Sequence, residues 1–362
     1  MIPVLSLLLA LPLAAAPQGR VVKTDGTAVT GNVTAAQLDG IVVSHAAGDT
    51  TIATEEVLSV SLGSGATLNE AEHFLKQLEF QNAVALLEEA GNASEPAWMP
   101  VVAKLRHAEA LLAWSAFDAG RADEAVSSFQ TWLASYPEHY WVARARIGMA
   151  RAMGRAGQVD EAAQELQEVA SFAFEKNLGK QVELAARMAR CQVYLDGDRA
   201  KLARQRLEGS SGLVATLKGA AQDGNSPAGL RAAMLNHWTQ SVVMLGDAIQ
   251  ASDGTADAKS FWERTLRSER GIGVDARAAG KIAIAQAARE AGQLREAQFA
   301  LAEVAATMNA GPETMARALY TLGEVCEDLD NTPTPGATYY RRVADRFPAS
   351  PWAAKARQKL GQ

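Results

Sequence analysis

One arrangement of small and large residues recurs along the chain from residue 71 onward, and it constrains the fold more than any other feature. In its clearest copy, residues 112–113 are Leu-Ala, and Gly120, Ala125 and Phe129 follow. A small residue in each of two antiparallel helices lets the helices cross closely, and a large apolar residue one turn further on fills the space beside the crossing. The arrangement therefore predicts helical hairpins, each made of a first helix, a tight turn and a second helix.

The small residue expected in the second helix returns along most of the chain, as Ala83, Ala125, Ala162, Ala203, Ala258, Ala297 and Gly336. This order resembles the tetratricopeptide repeat, whose ideal period is about 34 residues. The resemblance implies a superhelical array in which the first helix of each pair lines the concave face. The widest interval contains two turn-rich stretches, 209–212 and 223–227, which predict a longer loop between 208 and 228. A generic helical bundle with alanine-rich crossings is the alternative.

Residues 20–62 have a different period, because short apolar runs alternate there with the turn signals at 25–26, 39–40 and 48–49. Five short strands in this length predict a small barrel or curled sheet. The order of turns and strands resembles the small SH3-like or Sm-like barrels. A glycine-rich hinge over 61–66 follows, and few contacts are expected to cross it. The predicted fold class is mainly α, with a tetratricopeptide-like helical-hairpin solenoid over 67–362 preceded by this small all-β domain.

The first 16 residues predict a secretory signal peptide. They carry no charged side chain, and their apolar run is too short to span a bilayer, which takes about 20 apolar residues. The run ends in small residues at 14–16, where cleavage is expected. A buried N-terminal helix or strand is the alternative, although Pro3 and Pro12 are poor choices for either. The mature protein is therefore expected to be exported and to contain no membrane span.

The closing segment, residues 318–352, carries Leu322-Gly323, the run Tyr339-Tyr340-Arg341-Arg342, and Phe347-Pro348. It resembles the terminal repeats of bacterial envelope tetratricopeptide proteins of the BamD and CpoB/YbgF families. The resemblance implies an exported scaffold, in the periplasm or cell envelope, that binds other envelope proteins. It also implies protein or peptide partners, which include members of membrane-associated complexes.

The sequence lacks the short motifs of common enzymes and metal sites. The formal net charge of −6 argues against a general nucleic-acid binder. None of the five histidines pairs at metal-binding spacing, and the chain has no H-E-x-x-H, C-x-x-C or G-x-S-x-G motif. Cys191 and Cys326 are predicted to be buried free thiols, with a disulfide between them as the alternative. The sequence therefore predicts a non-enzyme with no catalytic residues, no metal and no cofactor.

The tetratricopeptide resemblance places the side chains one and four residues after each first-helix crossing in the concave groove. In the two clearest copies this reasoning, with the neighbouring positions, predicts a peptide-binding set of His107, Trp114, Phe117, Arg144, Arg151 and Arg155. Arginine forks suit carboxylates, and a tryptophan can anchor an interface, so an acidic or C-terminal peptide with an apolar anchor is expected. A solvated helix face is the alternative for these residues. For the protein as a whole, the alternatives are a structural subunit of an envelope assembly and an envelope enzyme with a helical-repeat cleft.

Overall fold

The computed structural model describes residues 18–62, 65–93, 98–330, 332, 334–348 and 350–361. The predicted signal peptide, residues 1–16, lies outside the described residues, so its export role stays a prediction. Among the helices that are described, none is long and apolar enough to cross a membrane.

A five-stranded antiparallel sheet stands at the N-terminal side, where the alternating pattern predicts it. Its strands are β1 (Gln18–Lys23), β2 (Ala28–Ala36), β3 (Gly40–His45), β4 (Gly48–Ala53) and β5 (Val57–Ser61). The strand order is β4-β3-β2-β1-β5, and a 3-10 turn, Thr54–Glu56, separates β4 from β5. Gly26 and Gly48 have φ of 91° and 116° in the hairpin turns, a conformation that glycine adopts without strain. The strands β4 and β5 thus form the two edges of the described sheet, and it is not closed by pairing between them.

The described remainder of the chain is mainly helical. They are α1 (Ala66–Lys76), α2 (Phe80–Gly91), α3 (Met99–Trp114), α4 (Arg121–Ser135), α5 (Val142–Arg155), α6 (Val159–Glu175), α7 (Lys180–Asp196), α8 (Ala200–Leu207), α9 (Leu213–Gln222), α10 (Ala228–Asp253), α11 (Thr255–Ser268), α12 (Val274–Glu290), α13 (Leu294–Thr307), α14 (Pro312–Asp330), α15 (Thr334–Arg346) and α16 (Pro351–Leu360). Consecutive helices pack against one another, so the fold is a mainly α, tetratricopeptide-like solenoid preceded by a small β sheet. The predicted fold class is confirmed.

The helix crossings use the residue types that the repeat predicts. Each predicted small residue in a second helix is buried, and Ala125, for example, is 0% exposed. Glycines in the first helices also matter, because they admit aromatic rings of the second helices. Trp262 of α11 lies between Gly246 of α10 and Gly280 of α12, where an added Cβ atom would come 2.5 Å and 2.6 Å from the indole. The backbones of α10 and α12 therefore lie so close to the Trp262 ring that neither glycine position has room for a methyl group.

The region between 208 and 228 differs from the sequence prediction of a long loop. It contains helix α9, which packs against α10. Leu213 and Leu217, four residues apart, are 1% and 0% exposed. Their shared face gives a short helix enough apolar contact to form between two turn-rich segments.

The sheet does not stand apart from the helices. It lies against the N-terminal ends of several first helices, and backbone groups link the two regions. The Leu38 amide donates to the Glu138 carbonyl at 3.0 Å, and the Tyr140 amide, just before α5, donates to the Ala36 carbonyl at 3.0 Å. Farther along the solenoid, the Leu230 amide at the start of α10 donates to the Thr24 carbonyl at 2.9 Å. The sheet thus contacts residues spread over several successive hairpins.

Apolar packing joins the same two regions. Ile41 and Val43 of β3 belong to one hydrophobic cluster with Leu105 of α3, Trp132 of α4 and Trp141 beside α5. These contacts contradict the expectation that little crosses the hinge over 61–66. The periodicity of a strand shows which face is apolar, and it does not show what covers that face. The prediction that residues 20–62 form a domain separate from 67–362 is not tested by these contacts and stays a prediction.

Candidate functional site

A groove of about 830 Å³ runs along the inner side of the solenoid. We call it the concave groove, because first helices form its walls: α5, α7, α10 and the starts of α12 and α14. Its lining residues are Ile147, Arg151, Ala185, Met188, Ala189, Gln192, Asn236, His237, Thr239, Gln240, Val243, Met244, Asp247, Asp275, Gly311, Pro312, Glu313 and Thr314. A volume of this size falls in the usual range of ligand sites.

The floor of the concave groove is apolar. Its apolar side chains include Ile147 of α5, Met188 of α7, and Val243 and Met244 of α10. Met188 and Met244 are only 8% and 9% exposed, so they contribute ends of side chains that are otherwise packed. Methionine is unbranched and polarisable, and it adapts to apolar groups of different shapes. The floor can therefore accept an apolar side chain without requiring one particular shape.

Polar side chains border this floor. Gln192, Asn236 and Gln240 bring amide groups that both donate and accept hydrogen bonds, as an extended peptide backbone requires. His237 stands next to them, and burial lowers the pKa of its imidazole. The His237 ring is therefore neutral at pH 7, with one nitrogen as donor and the other as acceptor.

The charged residues of the groove divide into two kinds. The carboxylates have partners within the chain: Asp247 accepts from Arg317 at 3.1 Å, and Asp275 accepts from the Gly311 amide at 2.5 Å. Glu313 likewise accepts from the Ser350 hydroxyl at 2.9 Å. Arg151 is the exposed cation in the lining. Because the carboxylates already take part in holding the walls, Arg151 is the lining charge that is most available to a ligand.

Of the six predicted binding residues, Arg151 lines the concave groove. Trp114 and Phe117 instead form an aromatic cluster with Phe80 at the start of α2, with ring centroids 6.1 Å and 5.4 Å from the Phe80 ring. The guanidinium of Arg121 covers the Trp114 ring at 4.1 Å. Trp114 is thus half-buried among neighbouring helices at the end of its hairpin. Trp114 does not line the concave groove, because α3 ends at this residue and α2 covers this end. Its part in peptide binding stays a prediction.

The remaining three predicted residues have partners in neighbouring helices. The Nδ1 atom of His107 is 3.0 Å from the Ser128 hydroxyl of α4, and burial lowers the pKa of His107. Arg144 donates to both oxygens of Glu109 at 2.6 Å and 2.9 Å. Arg155 donates to the Leu112 carbonyl and, at 3.1 Å, to the Ser115 hydroxyl, and so satisfies the end of α3. The structure does not bring the six residues together on one surface.

Sequence reasoning missed the apolar floor of the groove. The signal that could have indicated it lies in α10, whose apolar residues are not confined to one stripe. A 26-residue helix that buries residues such as Trp238 and Leu245 and also carries Val243 and Met244 must be covered on more than one side. That pattern indicates a central position in the solenoid.

Comparison with known proteins supports the prediction of tetratricopeptide-like repeats. Residues 116–176, from the turn between α3 and α4 through α6, match the family model of the tetratricopeptide repeat. The helical repeats are tetratricopeptide-like. Their match covers the segment in which Gly120, Ala125, Phe129 and Ala162 carry the predicted pattern. A comparison with curated proteins finds no match. The resemblance of the closing segment to the BamD and CpoB/YbgF families stays a prediction.

Several solved structures are similar in helix arrangement. The apo form of the quorum sensor NprR from B. thuringiensis is 13% identical, with a TM-score of 0.42 over 77% of this chain and 74% of that chain. NprR in complex with its cognate peptide NprX is 12% identical, with a TM-score of 0.42 over 81% of each chain. A Rap protein complexed with Competence and Sporulation Factor is 14% identical, with a TM-score of 0.44 over 81% of this chain and 75% of that chain.

Proposed function

We propose that this protein is a non-enzymatic scaffold that binds a peptide, or an extended segment of another protein, in the concave groove. The observation that carries the proposal is the groove itself, in which an apolar floor from α7 and α10 runs beside amide side chains. Ligand sites in proteins combine such an apolar surface with a few well-placed polar groups. Tetratricopeptide-like repeats form extended concave surfaces suited to chain-like ligands.

The lining residues indicate how a peptide would bind. An apolar side chain of the ligand lies on Met188, Val243 and Met244, and its backbone pairs with Asn236 and Gln240. Arg151 then pairs with a carboxylate, either an acidic side chain or a chain terminus, because its planar guanidinium matches that group. The ligand class expected from the sequence, an acidic or C-terminal peptide with an apolar anchor, is therefore retained with a different set of contacts.

A peptide-library selection on the intact protein tests this proposal. Selected peptides should share an apolar residue near a carboxylate, and R151E should lower their affinity about tenfold, as the loss of one charge-assisted hydrogen bond does. R342E on the exposed surface of α15 is the matched control and should leave the affinity unchanged. The proposal is overturned if no peptide is selected, or if R151E and R342E have equal effects.

We also propose export to the periplasm or cell envelope, supported by the uncharged apolar run before residue 17. N-terminal sequencing of the native protein should then begin between residues 15 and 21, and a cytoplasmic protein that retains Met1 would contradict export. For the sheet, the 3-10 turn between β4 and β5 and the pairing of β1 with β5 support the SH3-like resemblance as a further part of this proposal.

A further inference from the structure

A second, smaller cavity lies where the sheet meets α1, α2, α3 and α5. We call it the sheet–helix cavity, and its volume is about 210 Å³. Its apolar lining consists of Val60, Leu62, Leu68, Ala71, Leu75, Leu87, Val102 and Trp141. It shares no lining residue with the concave groove, although α5 contributes different residues to each. The two are therefore separate places on the molecule.

Among the charged residues at this cavity, positive charges outnumber negative ones. Arg106 and Arg144 line it together with Glu72, and Glu109 lies between the two arginines. Glu72 is 3.2 Å from the ammonium of Lys76, which offsets its charge. Glu109 can offset only one of the two arginines. The group as a whole therefore carries one unmatched positive charge beside an apolar space.

The unmatched charge can be assigned to Arg106. Both oxygens of Glu109 accept hydrogen bonds from Arg144, at 2.6 Å and 2.9 Å. The Nη1 atom of Arg106 is 3.7 Å from Glu109, within ion-pair distance but beyond hydrogen-bond distance, so Arg106 is held less tightly than Arg144. The Arg106 side chain is 52% exposed, so its guanidinium is free to turn toward a ligand in the cavity. Arg144 is in turn held over the Trp141 ring, at 5.4 Å, and stays with Glu109.

We propose that the sheet–helix cavity binds a small apolar carboxylate, with its hydrocarbon body among the leucines and its carboxylate on Arg106. The apolar walls favour a hydrocarbon because removing such a surface from water stabilises the complex. The guanidinium offers two parallel donors to a carboxylate. The volume is below the range of about 300–1,000 Å³ that holds drug-sized ligands, which limits the ligand to a short aliphatic or single-ring acid.

Calorimetric titration of the full chain tests the proposal with four probes in two matched pairs. Hexanoate is compared with hexanol, and benzoate with benzyl alcohol. At least one acid should bind about tenfold more tightly than its alcohol, since a charge-assisted hydrogen bond contributes about that ratio. R106Q should remove this preference, and L75W should abolish binding by filling the cavity from its half-buried wall.

The matched control is R151Q, which removes an exposed arginine from the concave groove instead. It should leave acid binding unchanged, so failure of this proposal and failure of the peptide proposal are distinguishable. The proposal is overturned if neither acid binds, if each alcohol binds as well as its acid, or if R151Q rather than R106Q removes the preference. Near-native thermal unfolding of R106Q and L75W shows that their effects come from the cavity rather than from misfolding.

Discussion

The two halves of the solenoid are held together in different ways. From α3 to α10, the helices pack on their neighbours, and hydrogen bonds also tie the sheet to α7 and to the starts of α5 and α10, through Gln181, Tyr140 and Leu230. From α12 to α16, two hydrophobic clusters join helices close in sequence: one joins α12, α13 and α14, and another joins α14, α15 and α16. Helix α11 and part of α12 belong instead to the central cluster that includes α7 and α10. A repeat array normally gains its stability from nearest neighbours. Among the residues that the structure describes, these hydrogen bonds from the sheet brace the first half over a long range, and they do not involve the second half.

This difference bears on the concave groove, because its walls belong to both halves. Ile147 and Arg151 on α5 are in the braced half, whereas Gly311 and the first residues of α14, Pro312 to Thr314, are in the other. Arg317 of α14 reaches back to Asp247 of α10 at 3.1 Å and to Gln286 of α12 at 3.3 Å. We expect the groove to open and close mainly by movement of the second half, with α5 as the fixed wall.

The largest effect should come from breaking the brace. I41A removes a fully buried side chain of β3 and should lower the free energy of unfolding by about 4 kcal/mol, in the range for buried large-to-small changes. Hydrogen exchange should show lost protection in α3, α5 and α7, with α12 to α16 unchanged.

I282A, which removes an equally buried side chain from α12, is the matched control. Its loss of protection should stay within α12 to α14, the helices of its cluster. If I41A affected the sheet alone, the sheet would not brace the solenoid.

A somewhat smaller effect should follow from acidification. His139 lies between the rings of Trp132 and Trp141, and its Nδ1 accepts from the Trp141 amide. Burial lowers the pKa of His139 to about 4. The folded state therefore binds fewer protons than the unfolded state, and stability is fully present above pH 6.5 and decreases as the pH falls toward 4. The decrease is about 3 kcal/mol, at 1.4 kcal/mol per pKa unit.

Urea unfolding of the wild type and of H139Q between pH 7 and pH 4 measures this contribution. H139Q removes the titrating ring, so its stability should depend less on pH, while the carboxylates contribute equally to both proteins. Hydrogen exchange at pH 4.5 should show the wild-type loss near β2, β3 and the start of α5. Parallel pH curves for the two proteins would show that His139 does not contribute.

The smallest of the three effects tests the unbraced half. G280A places a methyl group 2.6 Å from Trp262 and should cost about 2 kcal/mol by overpacking, although alanine is the better helix former by about 1 kcal/mol. W262F replaces the indole with a smaller ring. In a double-mutant cycle, G280A should therefore destabilise the W262F protein less than it destabilises the wild type. Additive effects would mean that the ring does not set the distance between α11 and α12.

The sequence predicted the hairpins because their determinants are local. The spacing from Ala125 to Phe129 lies within one helix, and Gly120 lies in the turn just before it. The short strands were predicted for the same reason, since the turn glycines Gly26 and Gly48 adjoin the runs that they separate.

The site was only partly predicted, because the environment of a side chain depends on distant residues. Arg151 lies in the lining of the concave groove, whereas Trp114 is covered by Phe80 of α2. Nothing in the spacing around Trp114 distinguishes a ring that packs on a neighbouring helix from one that faces the groove. The docking of the sheet was missed for the same reason. Val102 and Trp141 share a hydrophobic cluster with the sheet, but as residue types they do not differ from those that pack only between helices.

The bond from the Leu230 amide to the Thr24 carbonyl has a consequence for how the molecule assembles. These partners are separated by more than half of the chain, so closing that loop costs more conformational entropy than closing any one hairpin. Contacts of high sequence separation slow folding, whereas each hairpin can form from residues that are already neighbours. During synthesis the strands emerge first, but their final contact must await α10. Until then the apolar face of the sheet is only partly covered, and this is when the chain is most prone to aggregate.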